Sequence, residues 1–436
     1  MVLISFLSSS QKQIEFIEYD LDNGIHVILH EEHATPIVAV SVMYHVGSKN
    51  ENPERTGFAH FFEHLLFEGS ENIGRGEYSN LVERNGGTLN ANTSQDRTYY
   101  FELLPSNQLE LGMWLESERL LHAKVDSLGI ETQRSVVKEE KRQRVDNQPY
   151  GSFMENTFKR AFTEHSYNWV PIGSMAHLDA AEEKDYVNFY KDYYVPANAT
   201  LSIAGDIDIS QTKKWIDKYF GSIPKGMAIN LYRDYLNLDD ADFEKTYNIS
   251  KDKFTKNNKF KPRGCKAKKI YKAQSNNPTI VKRTQKDQSN LKGVIKETIE
   301  DNIQLPALFV SYKLPCQTHD DTYALDMLNQ VLSGGSSSRI NKSIVEKQEL
   351  AMFAFSFNYG LEDAGLGIMA AIAAQGVSLD TIQQEFDKQI QMVKDDLISE
   401  QEFEKIRNQY ENQFVSSNST IAGICENLAN YHVYYG

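Results

Sequence analysis

Hydrophobic and polar residues near the start of the chain follow the pattern of β-strands. Residues 14–20, 25–31 and 37–46 alternate or cluster β-branched and aromatic side chains, and Asp22-Asn23-Gly24 supplies a hairpin turn between the first two strands. The next segment, Thr56–Gly69, changes to a helical pattern in which apolar side chains point in nearly every direction. This pattern predicts a buried helix that Thr56 caps and Gly69 ends.

Strand-like and helix-like segments continue to alternate along the rest of the chain. Further strands are predicted within residues 88–104 (two strands with a turn at 94–96), 195–208, 307–314, 352–360 and 366–374. Helices are predicted at residues 78–85, 109–121, 131–146, 187–194, 209–220, 324–332, 340–347 and 379–397. Hairpins mixed with helices favour an α+β fold over a doubly wound one. Residues 227–294 lose the apolar periodicity, which predicts an irregular insertion.

Three polar residues of the Thr56–Gly69 helix share one face. His60 and His64 are four residues apart, and Glu63 is three residues after His60. Two imidazoles and a carboxylate in an apolar setting are costly unless a charged group lies between them. The pattern H-x-x-E-H is the inverted zinc-peptidase signature, in which the histidines bind zinc and the carboxylate takes a proton from water. The alternative is a pair of core histidines with satisfied hydrogen bonds.

A third zinc ligand is expected on the helix predicted at residues 131–146, where Glu139 and Glu140 are the candidates. At 100° per residue, Glu140 lies between Val136 and Val137, the apolar pair that marks the buried side of the helix. Glu139 falls on the opposite side of Val136, toward the charged face. The helical pattern therefore favours Glu140, and with it one zinc ion per chain.

Charge and composition narrow the choice of partners. The 436 residues carry a formal net charge of −14, yet residues 251–292 hold 14 Lys or Arg against 2 Asp or Glu, so the remainder is strongly acidic. An acidic body argues against nucleic acid as a partner, and the basic segment is expected to be a solvated insertion. No apolar run is long enough to predict a transmembrane helix. Residues 1–10 are either the remnant of a signal peptide or a tail without a role.

Five longer stretches form a distinctive set of motifs. They are RTGFAHFFEHLLFEGS (55–70), GGTLNANTSQDRTYYFELLP (86–105), QRSVVKEEKRQRVDNQPYG (133–151), YYVPANATLSIAGDID (193–208) and LSGGSSSRI (332–340). The set resembles the pitrilysin/insulinase family of zinc peptidases, the inverzincins. It is most similar to the half-length, two-subunit branch of the mitochondrial-processing-peptidase type. The resemblance covers nearly the whole chain apart from residues 227–294 and the first dozen residues.

The resemblance implies roles for individual residues. His60, His64 and Glu140 would hold zinc, and Glu63 would be the general base. Some members of the family carry a supporting acid seven residues before the third ligand, but Gln133 stands at that position here.

The family's edge strand, to which a peptide substrate adds as an extra strand, matches Leu89–Thr93. Asn90 and Ala91 carry that match and are the expected substrate-binding residues.

The fold that the resemblance implies has two repeated domains, each an antiparallel sheet packed on one side by helices, which together form half of a closed chamber. The expected limits are 14–226 for the catalytic zinc domain, 227–294 for the basic insertion and 295–436 for the second domain. Measured against the first repeat, the second lacks about 50–60 residues and is expected to be incomplete.

The chain departs from the full-length members of the family at two positions of its second half. Those members carry an Arg and a Tyr, seven residues apart, that reach the substrate and its oxyanion. The positions that align here hold Val345 and Met352, which can do neither. The resemblance therefore implies a homologous second subunit that supplies the Arg and Tyr, or else a homodimer.

The function expected from the sequence is zinc-dependent endoproteolysis of short or unfolded peptides, since a closed chamber excludes folded proteins. One alternative is a non-catalytic subunit of the same family that binds peptides or has a structural role. Another is the small thioether-cleaving hydrolase that shares the motif, although that protein offers no counterpart to residues 170–436. The bacterial periplasm or cell envelope is favoured over the cytoplasm.

Overall fold

The computed structural model describes residues 14–224, 239–247, 250–251 and 293–436. Of the predicted insertion, residues 239–247, 250–251 and 293–294 are described, and the rest lies outside the described residues. The strands are β1 (Ile17–Asp20), β2 (His26–Glu31), β3 (Ile37–Tyr44), β4 (Thr88–Thr93), β5 (Thr98–Pro105), β6 (Ala199–Gly205), β7 (Ala307–Leu314), β8 (Ala351–Tyr359) and β9 (Gly365–Ala373).

Helices fill most of the remaining described chain. They are α1 (Phe58–Leu65), α2 (Glu77–Arg84), α3 (Leu109–His122), α4 (Ser127–Lys141), α5 (Phe153–Ala161), α6 (Met175–Ala180), α7 (Glu183–Tyr193), α8 (Ile209–Tyr219), α9 (Asp240–Tyr247), α10 (Asp321–Ser333), α11 (Leu379–Asp395), α12 (Glu400–Ser417) and α13 (Ile421–Tyr435). π-helical segments lie at Arg142–Asp146 and Asn341–Lys347. Short 3-10 turns lie at Ser48–Asn50, Ser106–Gln108, Ser166–Asn168 and Pro196–Asn198.

Six strands form the first sheet in the order β1-β2-β6-β3-β5-β4. All neighbouring pairs are antiparallel except β2 and β6, which run parallel, so the expectation of a wholly antiparallel sheet is wrong for this pair. The cause is the route of the chain. β6 returns after the helices that follow β5 and enters the sheet between β2 and β3. It pairs antiparallel with β3, and because β2 and β3 run in opposite directions, it is parallel to β2.

The first sheet is covered on both faces. Val38, Val40 and Val42 of β3 point into the large core that also contains α1, α3 and α7. The alternate residues Ala39 and Met43 point to the other face, where α13 packs. A strand buried on both faces reads as a continuous apolar run, which explains the near absence of polar residues in β3.

A second, smaller sheet has the order β7-β9-β8 and is antiparallel throughout. This order repeats the β3-β5-β4 half of the first sheet. α10 and α11 pack against it around a second core, and a third apolar cluster joins α5 and its following turn to the β8–β9 hairpin. The predicted α+β class is therefore confirmed, while the predicted domain limits stay a prediction.

Most predicted elements are present within a few residues of the expected bounds. The helix predicted at residues 340–347 adopts a π-helical form instead of an α-helix. The sequence analysis missed five helices, namely α5, α6, α9, α12 and α13, and α9 lies within the stretch that was predicted to be irregular. In the part of the chain that the structure describes, none of the helices combines the length and apolar character that a membrane span requires.

Candidate metal centre

The helix that carries the H-x-x-E-H residues is shorter than expected. It starts at Phe58 and ends at Leu65, so the prediction that Thr56 caps it and Gly69 ends it is wrong. Gly57 stands at the cap with φ of +96°, a conformation that favours glycine. Because of this turn the Thr56 hydroxyl is directed elsewhere, to Nδ1 of His177 at 2.9 Å.

A buried glutamate upstream takes over the capping of α1. The Glu51 carboxylate accepts hydrogen bonds from the backbone N–H of Gly57 at 2.9 Å and of Ala59 at 2.8 Å, and from Nε1 of Trp169 at 2.9 Å. Burial raises the pKa of Glu51 to about 8, although these three N–H groups favour the ionised form. Glu51 thus satisfies donors at the start of α1 that have no partner within the helix.

We expect Glu51→Gln to destabilise the protein by about 1–3 kcal/mol at about pH 9, above the pKa of Glu51, because the amide nitrogen cannot accept and leaves a buried N–H of α1 unsatisfied. The free energy of unfolding in denaturant measures this change. Glu54→Gln is the matched control, since Glu54 lies three residues further on and is exposed. Equal stability of the two variants would contradict the capping role.

His60, His64 and Glu140 meet between α1 and α4. Nε2 of His64 lies 3.4 Å from Nε2 of His60 and 3.1 Å from Oε2 of Glu140. Nε2 of His60 lies 3.4 Å from the same carboxylate oxygen. Contact with His60 and His64 lowers the pKa of Glu140 well below its usual range. The side chains are largely buried, so three ligand-type atoms converge in a site with little water.

These separations fit a tetrahedral metal ion. Ligand atoms 2.0–2.2 Å from zinc at tetrahedral angles lie about 3.3–3.6 Å from one another, close to the observed 3.1–3.4 Å. The two imidazole planes meet at 83°, which lets both nitrogens point toward one position. Oε2 of Glu140 is buried and has no well-aligned hydrogen bond. This is expected of an oxygen that coordinates a metal ion.

A second cluster of possible metal ligands fails the same test. Glu18, His26 and His432 also bring ligand atoms within 4.8 Å of one another. The two imidazoles, however, stack in parallel, with centroids 3.4 Å apart and planes at 2°. Ring lone pairs lie in the ring plane, so parallel rings at this distance cannot both point at one ion. Only the centre at His60, His64 and Glu140 has the orientation that a metal requires among the described residues.

α4 presents Glu140 to α1 because of its helical phase. Val137 is fully buried, and Glu140, three residues later, lies on the same side. Val136 is 44% exposed, so its use as a marker of the buried side was wrong. Glu139 faces solvent and pairs with Arg142. The structure therefore brings Glu140, and not Glu139, to the two histidines.

Side chains beyond the centre hold α4 against α1. Gln133, which stands where some relatives carry an acid, donates from its amide to Glu68, just after α1. Arg75 donates to the other Glu68 oxygen at 2.8 Å and also pairs with Asp126, which caps α4. The second oxygen of Glu140 pairs with Arg144, four residues later in the π-helical segment. Gln133 thus has a positioning contact and no acidic function.

The end of α1 is held by a buried cation. Nη1 of Arg119 donates to the Leu66 carbonyl at 3.1 Å, and the guanidinium pairs with Glu116 and contacts Glu102. Burial, together with Glu116, raises the pKa of Glu102 well above its usual range. The guanidinium also lies 4.2 Å from the ring centroid of Tyr100.

Glu63 lies on the same helix as the two histidines and is half-buried. It precedes His64 by one residue and follows His60 by three on α1. Its charge adds to the effect of burial in raising the pKa of Tyr100 and Tyr194. Within the described part of the chain, its carboxylate has no hydrogen-bond or ion-pair partner, which leaves it able to accept a proton.

The amino-acid sequence matches two models of known protein families. The family model described as "Insulinase (Peptidase family M16)" matches residues 26–169, which contain the centre. The model described as "Peptidase M16 inactive domain" matches residues 182–410, more than half of the chain. The chain belongs to the M16 peptidase family. The resemblance predicted from the sequence motifs is therefore confirmed.

Individual M16 proteins match over different lengths. The zinc protease PqqE of Helicobacter pylori is 30% identical over 410 residues, which are 93% of this chain and 81% of that protein. The beta subunit of the mitochondrial-processing peptidase of Blastocladiella emersonii is 27% identical over 206 residues, 47% of this chain and 44% of that protein. The crystal structure of a protease from Helicobacter pylori superposes with a TM-score of 0.78 at 27% identity, covering 97% of this chain and 90% of that one.

The strand predicted to receive substrate lies at an edge of this M16 chain's first sheet. β4 pairs with β5 on one side, has no strand on the other among the described residues, and lies beside α1. Asn90 is exposed and Ala91 is nearly buried. The Ala91 N–H is bonded to Asn90 Oδ1 at 2.9 Å, so a peptide that pairs there must displace this contact.

The two second-half positions at which full-length M16 members carry Arg and Tyr have no polar function here. Val345 is partly buried against the second core. Met352 is 66% exposed on β8. Neither side chain can donate a hydrogen bond to a developing oxyanion.

Sequence reasoning missed Glu51, Arg119 and Arg144. Glu51 gave no usable signal, because its burial and its contacts with the start of α1 are seen only in the structure. The i, i+4 spacing of Glu140 and Arg144 was a signal for that ion pair. Arg119 and Glu116 are three residues apart, a spacing that signals an ion pair, but the contacts of Arg119 with Glu102 and Leu66 join segments distant in sequence and gave no signal.

Proposed function

We propose that this M16 chain is the catalytic subunit of a zinc endopeptidase that cleaves short or unfolded peptides. His60, His64 and Glu140 would hold one zinc ion, and Glu63 would act as general base. The observation that carries the proposal is the convergence of three ligand atoms at 3.1–3.4 Å beside an unpaired carboxylate. Zinc, when bound, supplies a Lewis acid that polarises the scissile carbonyl and acidifies water.

Different residues of the chain would then transfer the proton and bind the peptide. Glu63 takes a proton from the attacking water and later gives it to the leaving amine, as a positioned base does in peptide hydrolysis. The peptide adds as a strand along the free edge of β4, next to α1, where Asn90 and Ala91 offer side-chain and backbone groups. Strand addition recognises mainly backbone, so this mode favours extended or unfolded chains over folded proteins.

The proposal includes a second subunit. The chain's relatives include a beta subunit of the mitochondrial-processing peptidase, and Val345 and Met352 leave the positions of the family's Arg and Tyr without donors. We therefore propose that a homologous chain, or a second copy of this one, completes the site. A location in the periplasm or cell envelope stays a prediction from the sequence.

The metal site is tested by the zinc content of two neighbouring variants. The wild-type protein is expected to hold about one zinc per chain, and Glu140→Gln is expected to lose most of it. Loss of a ligand should exceed the about 10–100-fold loss of affinity that follows removal of an outer-shell partner. Glu139→Gln, the matched control, should keep its metal because Glu139 faces solvent.

The contrary outcome is equally clear for this pair. Equal zinc content in the Glu139→Gln and Glu140→Gln variants would show that Glu140 is not a zinc ligand. A wild-type protein that binds zinc and peptide but does not cleave, even with a homologous partner chain present, would favour the non-catalytic alternative.

A further inference from the structure

The hairpin between β8 and β9, in the second half of the chain, brings two acidic residues into contact with residues of the first half. Its tip, residues 360–364, reaches the Lys49 ammonium, which is 1% exposed. Nζ of Lys49 lies 2.6 Å from Oε2 of Glu362 and 3.3 Å from Oδ2 of Asp363. It also lies 2.8 Å from Oδ1 of Asp96 in the first half. One buried cation therefore joins carboxylates from both halves.

Further polar contacts surround this acidic tip. Nε2 of His45 lies 2.6 Å from Glu362, and Nε2 of His165 lies 3.2 Å from Asp363. Burial alone would raise the pKa of Glu362, but His45 and Lys49 lower it to about 2, so it is ionised at neutral pH. The backbone N–H of Glu362 donates to Oδ2 of Asp96 at 3.0 Å. The tip is thus bound by backbone as well as by charge.

The tip of the hairpin contacts the turn that follows β4, the strand proposed to receive the peptide. Asp96 lies in the four-residue turn 94–97 that joins β4 to β5. The Tyr359 hydroxyl of β8 donates to Oε1 of Gln95 in the same turn at 3.0 Å. On its other side, the Lys49 N–H donates to the Gln95 carbonyl at 3.0 Å. The β4–β5 turn is therefore held by hydrogen bonds on two sides, from the β8–β9 hairpin and from the 3-10 turn after β3.

We propose that Glu362 and Asp363 are positioning residues for peptide binding: they fix the β4–β5 turn, so that β4 presents its free edge in a fixed register beside α1. The inference rests on the proposed function, because it takes β4 as the strand that receives the peptide. Neither residue touches substrate. The second half thus contributes to substrate binding in the same chain, through the turn.

Conservative substitutions separate this role from folding. Glu362→Gln and Asp363→Asn keep size and shape, and each leaves Lys49 with two carboxylate partners, so the fold is expected to persist. Glu404→Gln on α12 is the matched control, since it removes one negative charge from an exposed position of the same half.

Three measurements on the full chain test the proposal. Amide hydrogen exchange at residues 88–97 is expected to speed up about tenfold in Glu362→Gln, a local opening that leaves exchange in α1 unchanged. The KM for a quenched peptide is expected to rise about tenfold with kcat within about twofold, the signature of lost uniform binding. Zinc content should stay that of the wild type, and Glu404→Gln should change none of these values.

The outcomes are distinguishable from those of the proposed function. Unchanged exchange at residues 88–97 in both tip variants would overturn the inference, and so would faster exchange without weaker peptide binding. If the wild-type chain binds peptide but does not cleave it, even when a homologous partner chain is present, the proposed function fails. In that case, exchange and the peptide dissociation constant of the tip variants still decide the inference.

Discussion

Glu63→Gln is expected to lower turnover by at least about a hundredfold, the usual contribution of a positioned general base. The amide keeps the size of the carboxylate but cannot take a proton from water. Glu63 lies on the same helix as the two proposed zinc ligands, three residues after His60 and one before His64. Because Glu63 is not one of the three convergent residues, zinc content and the free energy of unfolding should stay close to those of the wild type.

The measurement compares kcat for a quenched peptide with zinc content in the same preparation. Glu83→Gln on α2 is the control, because Glu83 is exposed and lies outside the centre. KM should change little if Glu63 acts in the chemical step alone. A fully active Glu63→Gln protein would mean that another group takes the proton.

The part of the fold that could be predicted from sequence is the part that local patterns control. The hairpin at Gly24, with φ of +91°, and the buried helix around His60 both follow from a few neighbouring residues. Turn chemistry and apolar periodicity act over such short distances, so their prediction does not depend on the rest of the molecule.

The features that escaped prediction depend on contacts between distant segments. The parallel pairing of β6 with β2 arises because a strand of residues 199–205 enters beside one of residues 26–31. α13 covers the far face of the first sheet, where Cys425 contacts Ser202 at 3.1 Å. Neither contact has a local signal, since each joins segments more than 150 residues apart.

The candidate centre contains both features that local patterns predict and features that depend on contacts between distant segments. Helical spacing alone places His60 and His64 on one face. The choice between Glu139 and Glu140 relied on Val136 and Val137, of which the second alone is buried. The phase pointed to Glu140 because Val137 lies three residues before it. The supports at Glu51 and Arg119 come from outside the helix and needed the tertiary structure.

Within the described residues, the two second-half positions that align with the family's Arg and Tyr supply no donor for the oxyanion that would form when water attacks the carbonyl. Loss of one such donor typically costs about a hundred- to a thousandfold in kcat. The aligned second-half positions hold Val345, packed against the core, and Met352, a thioether that cannot donate. Arg144 is near, with its side chain 77% exposed, but its guanidinium is already paired with Glu140.

This chain alone is therefore expected to cleave peptides poorly, and a homologous chain that carries the Arg and Tyr is expected to raise kcat by about a hundred- to a thousandfold. The assay measures peptide cleavage by the purified chain, by the partner and by their mixture, with the oligomeric state determined for each. A mixture made with Glu63→Gln is the control, because its inactivity would show that the chemistry takes place at this centre. Robust cleavage by a monomeric, partner-free preparation would contradict the prediction. In that event Arg144→Gln becomes the informative variant, since loss of its activity with zinc retained would identify Arg144 as the donor supplied by the chain itself.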